Sequence, residues 1–92
     1  VRRIRAAVAV PVIGSLNGTT RGGWLDYARL IEQAGADALE LNVYRIATDL
    51  SMKGADLERE MLDIVRELKA HLRIPLALKL SSSYTSLANV AW

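Results

Sequence analysis

Ala36-Asp37-Ala38-Leu39-Glu40-Leu41-Asn42-Val43 is the stretch on which the fold turns. It is short, mostly apolar and preceded by Gly35; of its three polar residues, Asp37 stands near its start, and Glu40 and Asn42 stand two apart near its end. Two other runs match it, Val8-Ala9-Val10-Pro11-Val12-Ile13 and Ile74-Pro75-Leu76-Ala77-Leu78-Lys79-Leu80. Such nearly continuous apolar runs are expected of parallel strands buried on both faces. Pro11 and Pro75 stand at strand entrances, where a missing N–H does little harm.

Helical periodicity separates the runs. Trp24, Ala28 and Ile31, with Tyr27, Leu30 and Ala34 alongside, follow the three-and-four spacing of an amphipathic helix, and Gly35 is placed to end it in a left-handed cap. Leu57, Met61, Ile64, Leu68 and Leu72, reinforced by Val65, form the stripe of a second helix. Asp56, Glu58 and Glu60 lie towards its start and Arg66, Lys69, His71 and Arg73 towards its end, the order that the helix dipole favours. Val1, Ile4 and Val8 read as the last turns of a helix, and Leu87, Ala88, Val90 and Ala91 as the first turns of another. The predicted pattern is (α)βαβαβ(α): residues 1–92 as a single partial α/β-barrel segment, cut within helices at both ends. Gly18, Gly22 and Gly23 are expected in a loop leading into the first complete helix.

Composition narrows the classes. Ninety-two residues are far short of the roughly 250 of a complete (β/α)8 barrel. With no cysteine there is no disulfide, no thiolate metal site and no thiol nucleophile, and no metal site is expected. No apolar run approaches the roughly 20 residues of a membrane span, and no signal-peptide pattern opens the chain, so a cytoplasmic protein without membrane contact is expected. The net charge of +2 is concentrated in Arg2, Arg3 and Arg5 and in the group from Arg66 to Arg73. Both clusters fall where helices should end, without interleaved aromatics or a binding motif, and so suit helix C-termini rather than nucleic acid. His71, the only histidine, reads as a solvated residue because no partner constellation accompanies it.

Function in parallel α/β folds gathers at the carboxyl ends of the strands. Here those ends carry Gly14-Ser15-Leu16-Asn17-Gly18, Glu40-Leu41-Asn42 and Lys79-Leu80-Ser81. Alternation puts Ser15 with Asn17, Glu40 with Asn42, and Ala77 with Lys79 and Ser81. A polar stripe of Ser15, Glu40, Asn42 and Lys79 is unfavourable in apolar strands unless it is paired or meets a ligand. Two readings stand open: an internal Glu40–Lys79 ion pair that fixes packing, or a binding site. The glycines between Gly14 and Gly23 fit neither GxxxxGK[ST] nor GxGxxG.

Three strings, Pro11-Val12-Ile13-Gly14-Ser15-Leu16-Asn17-Gly18, Gly35-Ala36-Asp37-Ala38-Leu39-Glu40-Leu41-Asn42 and Ile74-Pro75-Leu76-Ala77-Leu78-Lys79-Leu80-Ser81, resemble the FMN-dependent dihydroorotate dehydrogenase family of pyrimidine metabolism, most nearly its dihydroorotate dehydrogenase-like branch. The resemblance covers nearly the whole chain and implies about three middle units of a (β/α)8 barrel that holds flavin at its C-terminal mouth. It implies that Lys79 contacts the flavin ring near its N1/O2 edge, where a cation stabilises the anionic reduced form. It further implies that Asn42 hydrogen-bonds flavin or a small-molecule substrate, and that Ser15 occupies a polar cofactor-facing position often taken by Asn. Arg45 stands where the class with a cysteine base carries that cysteine, and arginine cannot act as a base at neutral pH. The loop Tyr44-Arg45-Ile46-Ala47-Thr48-Asp49 lacks that class's Cys-Pro-Asn string, and Ser81-Ser82-Ser83-Tyr84 lacks the proline usual after the third strand. No catalytic residue is therefore assigned.

The expected function is that of a fragment of an FMN-dependent oxidoreductase, inactive alone. The family's flavin-phosphate site lies on the last barrel units, outside these residues, so tight FMN binding by the chain is not expected. The alternative is a truncated, non-catalytic α/β module that forms a homo-oligomer, because three parallel strands leave two edges and an inner face to be covered.

Overall fold

The computed structural model describes residues 1–17, 21–42, 53–80 and 88. Six elements follow in order: α1 (Arg2–Ala7), β1 (Ile13–Asn17), α2 (Arg21–Gln33), β2 (Ala38–Asn42), α3 (Gly54–His71) and β3 (Leu76–Lys79). The strands make one parallel sheet in the order β1-β2-β3. This is the α/β arrangement that the apolar runs predict, with a helix between successive strands as in the units of a βα barrel.

Register decides which residues meet. Gly14 aligns with Leu39, and Leu16 with Leu41 and Leu78, so one face of the sheet is aliphatic. The helices α2 and α3 cover that face, and Leu16, Trp24, Ala28, Leu39, Leu41, Ile64, Leu68 and Leu72 form the buried core, with Val65, Leu76 and Leu78 packed at its margin. Of the stripe expected on α3, Met61, Ile64, Leu68 and Leu72 are buried, while Leu57 and Val65 are half-buried. On the opposite face Ile13, Ser15, Asn17, Ala77 and Lys79 are exposed. Burial on both faces, as expected of the strands, is met on the aliphatic face that α2 and α3 cover, whereas among the described strand residues of the opposite face Asn42 alone is buried.

The first strand sits later than its apolar run. The run spans Val8–Ile13, whereas β1 begins at Ile13, and Val10 is 63% exposed. Pro11 supplies no N–H to a ladder. Pairing begins only where the Val12 N–H donates to Asp37 Oδ2 at 2.7 Å and the Asp37 N–H donates to the Val12 carbonyl at 2.8 Å. Upstream, α1 is six residues long with no buried side chain, and Arg5 reaches Asp37 at 3.2 Å.

On α2, Trp24 and Ala28 are buried as expected, but Tyr27 and Leu30 are 61% and 58% exposed. These two are three residues apart and form one ridge on an uncovered flank of the helix. Gly22 and Gly23, expected in a loop, belong to the helix. At the other end Gly35 has φ +94°. Its N–H donates to Glu32 O at 3.0 Å and the Ala36 N–H to Ile31 O at 3.3 Å, which together are a Schellman cap. Gly14 lets α2 lie close against β1, since a Cβ there would run into the Ile31 side chain.

The start of α3 is held by Asp56, whose Oδ2 accepts the Lys53 N–H at 3.3 Å, half of a capping box. At its end Lys69 and His71 occupy the last turn, where cations oppose the dipole. The exposed His71 ring lies with Nδ1 2.8 Å from the Glu67 carbonyl. A carbonyl only accepts, so Nδ1 carries the proton that is shared. The entrance to β3 is tied to α2 through the Arg73 N–H, which donates to Glu32 Oε1 at 2.7 Å. Among the described residues no helix is long and apolar enough to cross a membrane.

Candidate functional site

The face of the sheet opposite α2 and α3 is where the polar strand residues meet. Two registered layers cross it near the carboxyl ends of the strands. In the outer layer Asn17 aligns with Asn42, and Asn42 with Lys79; in the next, Ser15 aligns with Glu40, and Glu40 with Ala77. Ile13 and Ala38 form the layer below. Small residues, Ala38 and Ala77, thus flank Glu40 and leave the surface low around it.

A hydrogen-bonded chain links three of these residues. Asn42 Nδ2 donates to Ser15 Oγ at 2.9 Å, and Ser15 Oγ donates to Glu40 Oε2 at 3.1 Å. Among the described residues Asn42, 8% exposed, is the buried polar residue, and its Oδ1 is sealed from solvent with no hydrogen-bond partner. Leaving such a carbonyl unmatched costs about 1–3 kcal/mol relative to a satisfied one. Trp24 Nε1 shares that condition, but it belongs to the core cluster on the other side of the sheet. Lys79 is exposed beside Asn42 in the register.

The three residues expected at the site, Ser15, Asn42 and Lys79, therefore come to one face, two of them in direct contact and the third in register with Asn42. The alternative reading of Glu40 fails in one respect. Among the described residues no ion pair joins Glu40 to Lys79, because register puts Ala77 beside Glu40 and Lys79 one layer up. Glu40 instead accepts from Ser15. Asn17 also stands in the Asn42–Lys79 layer; alternation along β1 pairs it with Ser15, but its alignment with Asn42 depends on a register that spacing alone does not reveal. Arg45, the segment from Tyr44 to Asp49, Gly18, and Ser81 to Tyr84 lie outside the described residues. Among the described residues, no group of three or more His, Cys, Asp or Glu is placed to hold a metal ion.

The donor set suits a planar heteroaromatic group such as the isoalloxazine ring of FMN. That ring carries an N–H that an amide carbonyl can accept and carbonyl oxygens that a cation can approach. A sealed carbonyl without a donor and an exposed lysine in the neighbouring register position supply the complementary groups.

No protein-family model matches the chain. A protein of Aeropyrum pernix named "Putative dihydroorotate dehydrogenase A (fumarate)" is 32% identical to it over 78 residues, which are 82% of this chain and 25% of that protein. The chain thus spans about a quarter of the length of this relative. The similarity supports a dihydroorotate dehydrogenase-like relation at the level of the family.

Proposed function

We propose that the chain is part of an FMN-dependent oxidoreductase of the dihydroorotate dehydrogenase-like kind, and that the open sheet face is its flavin-facing surface. The observation that carries this reading is the meeting of Ser15, Asn42 and Lys79 on the face opposite α2 and α3, at the strand ends where parallel α/β folds bind ligands. The similarity to the Aeropyrum pernix protein supports it. FMN supplies hydride chemistry when bound. The chain's own residues position it: Asn42 offers a hydrogen-bonding amide, Lys79 a positive charge, and Ser15 holds the amide in place. The substrate is a small molecule at the same mouth, and the activity belongs to the larger assembly of barrel units, not to these three strands alone.

The test is a titration of the purified 92-residue chain with FMN, followed by flavin fluorescence and absorbance. Weak binding, reduced further in Lys79→Met and Asn42→Ala, is the expected outcome. A stoichiometric yellow complex on purification overturns the expectation that the chain does not hold FMN tightly. Binding indifferent to both substitutions removes the assignment of the face.

A second reading is favoured by the sheet's edges. Among the described strands β1 and β3 each border only β2, and Ile13 is 61% exposed on the open face. Unpaired edges and exposed apolar residues promote association, so a non-catalytic module that self-associates is the competing proposal. Sedimentation showing a folded monomer at micromolar concentration removes it.

A further inference from the structure

The chain Asn42–Ser15–Glu40 has a direction, and its direction has a chemical consequence. A carboxylate only accepts hydrogen bonds. The Ser15 hydroxyl therefore spends its single proton on Glu40 Oε2, 3.1 Å away. The same oxygen can then only accept from Asn42, and the group that it faces at 2.9 Å is Nδ2. What remains of the amide is Oδ1, buried and without a donor. Hydrogen bonds to an ionised acceptor are stronger than neutral ones, so the carboxylate end sets the polarity and the amide end follows.

We infer that Glu40 is a positioning residue: acting through the Ser15 hydroxyl, it fixes which end of the Asn42 amide serves the site, so that the face offers its ligand a carbonyl acceptor and not an amino donor. The ligand class follows. It carries an N–H to meet Asn42 Oδ1 and, alongside, a carbonyl or anionic group within reach of Lys79, which stands in register with Asn42. A cyclic amide or imide edge has that pair of groups; an edge with two acceptors would meet Oδ1 with repulsion. An N–H that reaches Oδ1 must enter the space now closed over that atom, where it replaces an unmatched group with a matched one. Assignment of the ligand as flavin rests on the function proposed above; the polarity of the chain does not.

Glu40→Gln tests the polarity because it preserves size while adding donors. The new amide can donate to Ser15 Oγ, which frees the hydroxyl to donate to Asn42 Oδ1 and turns the amide round. In the 15N-labelled full chain, an Asn42 Nδ2 proton is expected to exchange with solvent more slowly than that of the exposed Asn17, because Asn42 is buried and because Nδ2 is bonded to Ser15; the bond's share is about tenfold. That tenfold share should be lost in Glu40→Gln and in Ser15→Ala, the slowing due to burial remaining, while thermal midpoints stay close to the parent's. The full slowing retained in Glu40→Gln overturns the inference, as does the full slowing retained in Ser15→Ala. If Glu40→Gln unfolds the chain, Glu40→Asp provides the rescue arm, since it keeps an acceptor-only group and should keep the slowing; its loss there overturns the inference too. A second measurement compares lumiflavin with its N3-methyl derivative, which lacks the ring N–H. The parent should favour lumiflavin and Glu40→Gln should lose the preference, and a preference unchanged by the substitution overturns the inference. Binding of neither compound by the parent defeats the flavin reading, while the exchange measurement still decides the role of Glu40.

Discussion

The two faces of β2 are built from alternate residues of one five-residue strand, yet they follow opposite rules. Leu39 and Leu41 are completely buried beneath α2 and α3. Glu40 and Asn42, their immediate neighbours, join Ser15 in a hydrogen-bonded chain on a face that no described helix covers. The aliphatic face draws its stability from area removed from water and from close packing. The polar face carries an unmatched carbonyl and an exposed lysine, groups that do little for the fold of this segment. One strand thus separates the residues that make the structure from those available to a ligand.

Substitutions should divide along the same line. Leu41→Ala, on the covered face, should cost about 2–5 kcal/mol, as truncations of buried leucine do; urea unfolding reads it, and a loss under 1 kcal/mol would mean that the core is not held as described. Gly14→Ala should cost about 1–3 kcal/mol because its methyl meets Ile31. Ile31→Ala in the same chain should recover part of that loss, and strict additivity of the two changes would break the steric account. Gly35→Ala should cost about 1 kcal/mol, since its φ of +94° is strained for a residue with a Cβ; an unchanged denaturation midpoint would remove the cap from the argument. Lys79→Met, on the open face, should change stability by less than about 0.5 kcal/mol while weakening flavin binding. A large loss of stability there would show that the open face is structural after all.

The apolar stripe of α3 and the Gly35 cap were legible because both depend on local spacing: Leu57 to Leu72 repeats at helical intervals, and a glycine after the last helical turn has few other uses. The start of β1 was not legible in the same way. Val8 to Val12 is as apolar as a strand, but its pairing depends on Asp37, 25 residues away from Val12, and no local pattern reports a partner at that distance. Tyr27 and Leu30 look like core by periodicity, and only the placement of α2 on the sheet shows which flank stays bare. At the candidate site, alternation predicted which residues share a face within each strand. Register between strands decided the rest: it separated Glu40 from Lys79, joined Glu40 to Ser15, and set Asn17 in line with Asn42.

The interleaving on β2 also governs what kinds of genetic change the segment can absorb. A substitution reaches one face and leaves the other intact, so folding and binding can drift independently, position by position. Loss or gain of a single residue inside Ala38–Asn42 exchanges the two sets at once, sending Leu41 outward and Asn42 into the helices. A deletion scan of this strand should therefore find no intermediate phenotypes, whereas a substitution scan should alternate between loss of fold and loss of ligand with a period of two.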